Sequence, residues 1–489
     1  MASRDRQPSV AEAVDLLGEQ VGRARRGVGR LARRSGAPPA VQSPIGRRAS
    51  AVIRRVRRER EPRTPWVRAG VLGAGTGLGA GLAAAAGASA LAGYFARMVV
   101  TPVREHREDL EILAVVRGSR GDEVVLPATP ETIVEGTYGL YFHGGQSHAR
   151  IGEITAFSPR DGTITRRVEE IYRGDLRSAV RGWWTSVTHP DPDSAGFPSR
   201  EVVVELPDGP APAWHVPPQR GDGVLAGRGI WAIMVHGRGG RRAEGIRGLA
   251  VADRLGLDSL LISYRNDGEA PDAPDGRYGL GVTEWEDVEA AVQYALDHGA
   301  EDVLLFGWSM GGAIALQTAD RSRLAPAIRG LVLTGPVVDW IDVLAHQARE
   351  NRIPDRVGRM GQWIISNSSG KRVTGLAAPV DLKALNWTAR ADELHVRTLI
   401  LHSVDDNVVP YGPSRDLAER SPMVSFVPFA RARHIKERNA DPDRWEGKVA
   451  EWATKLFTAD APPHLASTGT LPTVTPAEAT ATSDRRPDR

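Results

Sequence analysis

The stretch from Val303 to Ala319 constrains this chain more than any other: four apolar residues, then Gly307-Trp308-Ser309-Met310-Gly311, then an apolar run from Ala313. A short apolar run bounded by Gly reads as a strand buried on both faces. The run that follows has helical composition. A strand that turns into a helix within five residues places the Ser between them in a strained conformation, and side chains two residues to either side would collide with the turn. Gly307 and Gly311 remove them. Such an elbow exposes the Ser309 Oγ and starts a helix at Met310, whose N–H and dipole then face a developing oxyanion. The plain alternative, a glycine turn with Ser309 as helix N-cap, leaves the flanking strand and helix unused.

Similar apolar runs lie at 230–235, 259–263, 331–334, 398–401 and 424–429, separated by longer helical segments. This alternation predicts an α/β domain from about residue 200 to 459, a mostly parallel sheet flanked by helices. Its functional loops belong at the carboxyl ends of the strands. One helix is marked by Thr283 and Glu286 as a capping box and by Gly299 as its C-cap. An insertion at about 338–396, with helical stretches at 341–352 and 357–365, is positioned as a cap over Ser309. Its Trp340 and Trp363 either line an acyl pocket or pack in a core.

The remaining motifs also follow strands. His236-Gly237-Arg238-Gly239-Gly240 succeeds the 230–235 run and is expected to form the oxyanion loop, with the Arg238 and Met310 N–H groups as donors. His236 is expected to pack beneath that loop. An acid and a His must then come later in the chain, in that order. Ser403 to Pro410 holds Asp405 and Asp406 after a strand; Asp406 is the chosen acid, Asp405 a loop-capping alternative. Asp339, after the 331–334 run, is a third candidate. Of twelve His, only His434 and His464 follow Asp406, and His464 sits in a Pro-, Thr- and Ala-rich tail. His434 is therefore the expected base, its Nε2 taking the Ser309 proton while an Asp carboxylate holds Nδ1–H. With no Cys in the chain, thiolate nucleophiles, disulfides and Cys-ligated metals are excluded.

On the His236-Gly237 loop, the 307–311 elbow, Asp406 through Pro410 and His434, the segment resembles the α/β-hydrolase superfamily. It is similar to monoacylglycerol-lipase-type esterases and prolyl-oligopeptidase-type serine hydrolase domains. The resemblance implies an acyl-enzyme mechanism without metal or organic cofactor, acting on a small-molecule or lipid-like acyl substrate. Residues 101–199 are too few for an oligopeptidase propeller. The expected activity is cleavage of a carboxylic ester. Alternatives are an acyltransferase or serine peptidase with the same triad, or a catalytically silent interaction module.

Ahead of this domain, residues 1–66 form a basic head: seventeen Arg stand against six acidic residues up to Arg68, in a chain whose net charge is only +3. The basic run has no interleaved aromatics, so nucleic-acid binding is not expected. Ala69 to Ala96 is then free of charge for 28 residues, long enough at ~1.5 Å per residue to cross a bilayer. A transmembrane helix is assigned to 67–100, with the Arg-rich side cytoplasmic and the catalytic domain extracytoplasmic at the cell membrane. Gly73, Gly77 and Gly81 make a small-residue stripe for self-association. Gly75-x-Gly77-x-x-Ala80 lacks the strand a dinucleotide fingerprint needs, and the head is too long for cleavage at Ala88-Ser89-Ala90 to mark an ordinary signal peptide. Residues 101–199 show short alternating runs and predict a small β-rich domain, in which His143-Gly144-Gly145 is a glycine turn. The hydrolase core is expected not to need the anchor, and 460–489 is a disordered tail.

Overall fold

The computed structural model describes residues 85–458. The basic head, the uncharged run up to residue 84 with Gly73, Gly77 and Gly81, and the tail with His464 lie outside the described residues.

Two sheets organise the chain. The first is antiparallel, with strands β1 (Leu110–Glu111), β2 (Ala114–Gly118), β3 (Gly121–Pro127), β4 (Tyr138–Phe142), β5 (Ser147–Ser158), β6 (Thr163–Arg173) and β7 (Arg181–Thr185) in the order β1-β7-β4-β5-β6-β3-β2. All seven fall within 101–199. Alternation along the strands buries Val124, Leu126, Leu140, Phe142, Ile151 and Ile164 on one face. Arg166 is buried with them, because its guanidinium donates to the carbonyls of Thr132, Val134, Gly136 and Gly152 and lies over the Tyr138 and Trp184 rings. A buried charge is tolerated when its donors are met in this way.

The second sheet has eight strands, β8 (Arg200–Leu206), β9 (Gly209–Val216), β10 (Ile230–Val235), β11 (Asp258–Ile262), β12 (Asp302–Trp308), β13 (Ile328–Thr334), β14 (Arg397–Ser403) and β15 (Val424–Phe429), ordered β15-β14-β13-β12-β10-β11-β9-β8. From β11 to β15 every pairing is parallel, and the hairpin β8–β9 adds an antiparallel edge on β11. The chain leaves β10 for β11 on one side and returns to β12 on the other, so the crevice beyond their carboxyl ends is the switch point of the sheet. This is the α/β-hydrolase fold. Beyond a first helix, α1, running through residues 85–100, its helices longer than one turn are α2 (Leu249–Leu255), α3 (Trp285–Asp297), α4 (Met310–Arg321), α5 (Trp340–Glu350), α6 (Asp355–Ser366), α7 (Tyr411–Arg420) and α8 (Pro442–Thr458). The cap is α5 and α6, inserted between β13 and β14.

Two expectations are corrected here. The capping box is absent: α3 begins after Glu284, which is fully buried and accepts the Gly279 and Gly281 N–H groups, while Thr283 Oγ1 donates to Glu284 instead. A tertiary demand for turn acceptors has taken over the helix start. The second correction concerns the end of the helix assigned to lipid, whose part up to residue 84 lies outside the described residues. Among the described residues no helix is long and apolar enough to cross a membrane. Residues 85–100 end against protein: Ala92, Ala96 and Val100, at i, i+4 and i+8, are buried in the hydrolase core. Gly93 packs on Val373, Arg97 donates to Val373 O, and Tyr278 N–H donates to Val100 O. The upstream part, with Ala85, Ala86, Ser89 and Ala90, is exposed, as is Arg97. An apolar run meets the same demand in lipid or against a cap.

Candidate active site

The elbow at the end of β12 has the strain its sequence requires. Ser309 sits at φ 52°, ψ −116°, between β12 and the first residue of α4. Its N–H donates to Thr334 O and its carbonyl accepts from Gly312 and Val337, so neighbouring backbone fixes the outlier. A Cβ on Gly311 would overlap the carbonyl oxygens of Val235 and His236, and one on Gly307 would come within 2.6 Å of Gly311 O. Neither position admits a side chain.

Ser309 Oγ lies 2.9 Å from His434 Nε2, and His434 Nδ1 lies 2.7 Å from Asp406 Oδ2. The three side chains nominated from sequence stand in one hydrogen-bonded line. Asp406 is buried and fully partnered: Oδ1 accepts the Val408 and Val409 N–H groups at 2.8 and 2.9 Å, and Oδ2 also faces His402 Nε2 at 3.2 Å. Burial alone would raise its pKa, but the charge and hydrogen bonds of His434 and His402 outweigh it and hold the carboxyl well below the usual carboxylate range. An ionised Asp406 requires a proton on His434 Nδ1, which leaves the Nε2 lone pair facing Ser309.

His402 is a residue that sequence reasoning passed over. Buried at the end of β14, its Nε2 faces two acceptors, Asp406 and Val409 O, so that nitrogen carries the hydrogen and Nδ1 accepts from Ser414 Oγ at 2.9 Å. Its spacing of four residues before the acid was the available signal. Glu437, three residues after His434, was missed as well. Its Oε1 accepts the Ser403 N–H at 2.9 Å, and burial together with the Asp406 charge raises its pKa to about 8.

The other acidic candidates have structural duties. Asp405 accepts the N–H groups of Ala432 and Arg433 and the Ser403 hydroxyl, which caps the loop that carries the base. Asp339 caps α5 through the Ile341 and Asp342 N–H groups and accepts from Asn386. Within the His434 loop, Arg433 and Ile435 both have positive φ, and the small domain holds this loop from outside. Arg433 Nε donates to Pro130 O, Lys436 pairs with Glu131 at 2.8 Å, and Asn439 Nδ2 donates to Thr137 O and Ser186 O.

The loop after β10 runs beside the elbow, since a Cβ on Gly237 would lie 3.2 Å from the Ser309 Cβ. Gly237 N–H donates to Glu244 and Gly239 N–H to Tyr278 Oη, which leaves the Arg238 N–H as the open donor of the loop among the described residues; Arg238 and Met310 both line the cavity at Ser309. His236 is buried beneath, stacked on Tyr264 at 4.1 Å and 3.1 Å from Asp267. Burial disfavours its charge, yet the Asp267 carboxylate outweighs this and raises its pKa while that of Asp267 falls. The Arg238 side chain turns away to the end of α1, where it donates to Met98 O, Val99 O and Thr101 O at 2.7 to 2.9 Å. A guanidinium at a helix C-terminus meets unpaired carbonyls and the negative end of the dipole.

Above Ser309 opens a cavity of about 360 Å³ whose walls are mainly apolar. Trp340 lines it, with its Nε1 donating to Leu280 O, while Trp363 is 54% exposed and does not.

The sequence profile of the α/β-hydrolase fold family matches residues 232–352, and that of a domain of unknown function (DUF8805) matches 111–185. No curated protein matches the sequence. Among solved structures, an esterase of Pyrococcus furiosus is similar at 16% identity and a TM-score of 0.41, over 54% of this chain and 94% of that one. A thermophilic esterase of Thermogutta terrifontis is similar at 19% identity and a TM-score of 0.37, over 53% and 100%. An alpha-beta serine hydrolase homologue from Coxiella burnetii gives 18% and 0.36, over 52% and 96%.

Proposed function

We propose that this α/β-hydrolase unit cleaves carboxylic esters through a covalent acyl-enzyme, on a chain held to the membrane by its N-terminal segment. The observation that carries the reading is the line from Ser309 Oγ through His434 to Asp406, at 2.9 and 2.7 Å, beneath an apolar cavity. In the first step Ser309 Oγ attacks the ester carbonyl carbon and passes its proton to His434 Nε2. Asp406 stabilises the imidazolium through Nδ1–H, and the Arg238 and Met310 N–H groups receive the oxyanion. His434 then protonates the departing alkoxide, and water repeats the sequence to release the acid. The positive-φ Ser309 and the paired Asp406 together favour this reading over a silent module, because both carry a conformational or desolvation cost.

The membrane part rests on sequence: the uncharged run that begins at Ala69 and the Arg excess ahead of it, which assign the body to the extracytoplasmic side. One experiment tests both parts. A membrane-impermeant fluorophosphonate is expected to label the wild-type protein on intact cells and to leave Ser309→Ala unlabelled. Labelling of Ser309→Ala would overturn the nucleophile; labelling of wild type only after lysis would overturn the topology.

A further inference from the structure

We propose that α1 is one wall of the substrate channel and that the site takes esters of straight, apolar acyl chains whose length α1 limits. This rests on the ester-hydrolase reading above and adds the substrate class to it. The cavity that holds Ser309 and His434 is also lined by Phe95, Met98 and Val99 of α1. Opposite them stand Val343 of α5 and Val357 and Ile365 of α6. The helix thus presents one broad apolar face. Ala92, Ala96 and Val100 are buried in the core, and Phe95 and Val99, one turn apart, line the cavity beside them together with Ala96.

The wall is fixed on both sides of the channel. Arg238, whose N–H is the open donor of the oxyanion loop, holds the carbonyl end of α1 through three hydrogen bonds. Val103 packs on Gly239, and His106 Nε2 meets Gly239 O at 3.1 Å. On the cap side, α6 approaches close enough that a Cβ on Gly361 would lie 3.5 Å from Ala92 O. Cap, oxyanion loop and α1 therefore enclose one space. At about the volume of one water, ~30 Å³, per methylene, a cavity of about 360 Å³ holds a chain on the order of ten carbons. Each methylene that leaves water for this space is worth about a fourfold gain in kcat/KM until the channel is full.

The test is a chain-length series of p-nitrophenyl esters, from acetate to palmitate, on the full-length protein, with fluorophosphonate labelling as the check on the active site. Wild type is expected to prefer decanoate to acetate by a hundredfold or more, on the order of several such methylene steps. Val99→Phe, which fills the channel, is expected to cut the decanoate-to-acetate ratio about tenfold or more. Phe95→Leu, a milder change, is expected to move the optimum to longer chains. A labelled wild type that prefers acetate would overturn the channel and leave the ester reading standing, as would both variants keeping the wild-type ratio. A wild type that neither labels nor hydrolyses any ester would overturn the ester reading itself.

Discussion

Asp406→Asn offers a direct test of the triad geometry, because the backbone decides which way the new amide points. Asp406 Oδ1 accepts two N–H groups, from Val408 and Val409. An Asn that keeps its oxygen there retains both hydrogen bonds and must turn its NH2 toward His434 and His402. The flipped amide would set its NH2 against two backbone donors, at a cost of ~1 to 3 kcal/mol for each buried group left unpaired. The amide therefore stays as the backbone holds it and becomes a donor facing His434 Nδ1. His434 must answer as an acceptor there, which moves its proton to Nε2 and removes the lone pair from Ser309. Fixing the wrong tautomer costs ~10³ to 10⁴ in kcat, or ~4 to 5.5 kcal/mol. The assay is ester hydrolysis at saturating substrate, with Asp339→Asn as comparison. Asp339 spends its carboxylate on the start of α5 and on Asn386, so its variant is expected to stay within about tenfold of wild type. If Asp339→Asn is the crippling change and Asp406→Asn is not, the assignment of the acid fails.

Truncation probes α1 separately. Deleting residues 1–100 rather than 1–84 removes the buried Ala92, Ala96 and Val100 and two of the three acceptors of Arg238, roughly 4 kcal/mol of docking. A fall in Tm on the order of 10 °C between the two truncations is expected by differential scanning fluorimetry; equal values would return α1 to the status of a detachable anchor. Glu437 supplies a pH test. With its pKa raised to about 8, the native state keeps a proton that the unfolded chain releases above ~4.3. Its contribution to stability therefore falls as pH rises from about 4 to about 8. Glu437→Gln is expected to narrow the difference in Tm between about pH 5 and about pH 8, and an unchanged difference would remove Glu437 as its source.

The sheet was legible because parallel strands buried on both faces leave continuous apolar runs, and 230–235 and 424–429 match β10 and β15 at both ends. The elbow was legible because its strain demands glycines at fixed offsets from Ser309. His434 emerged largely by its place in the chain. What stayed hidden depends on contacts distant in sequence. His402 looks like the last residue of a strand until Asp406 folds back on it, and Glu437 looks like a helix-start acid until burial raises it. Nothing in Ala92, Gly93 and Ala96 separates a helix packed by lipid from one packed by α6, since small apolar residues suit both. The edge hairpin β8–β9 was not among the predicted strands, and in β9 Gly209, Pro210 and Pro212 break the apolar pattern.

The bracket around His434 bears on how such a protein can change over time. Arg433, Lys436 and Asn439 belong to one fold and are held by carbonyls and a carboxylate of the other. A substitution at Asn439 answers to two folds at once, and an insertion between Pro130 and Thr137 reaches the base without altering a residue of the hydrolase sheet. Exchanging the smaller half for a foreign counterpart would leave the loop of His434, with its two left-handed residues, to contacts within the hydrolase fold such as those of Asp405. The smaller module thus bears on the position of a side chain it does not contain.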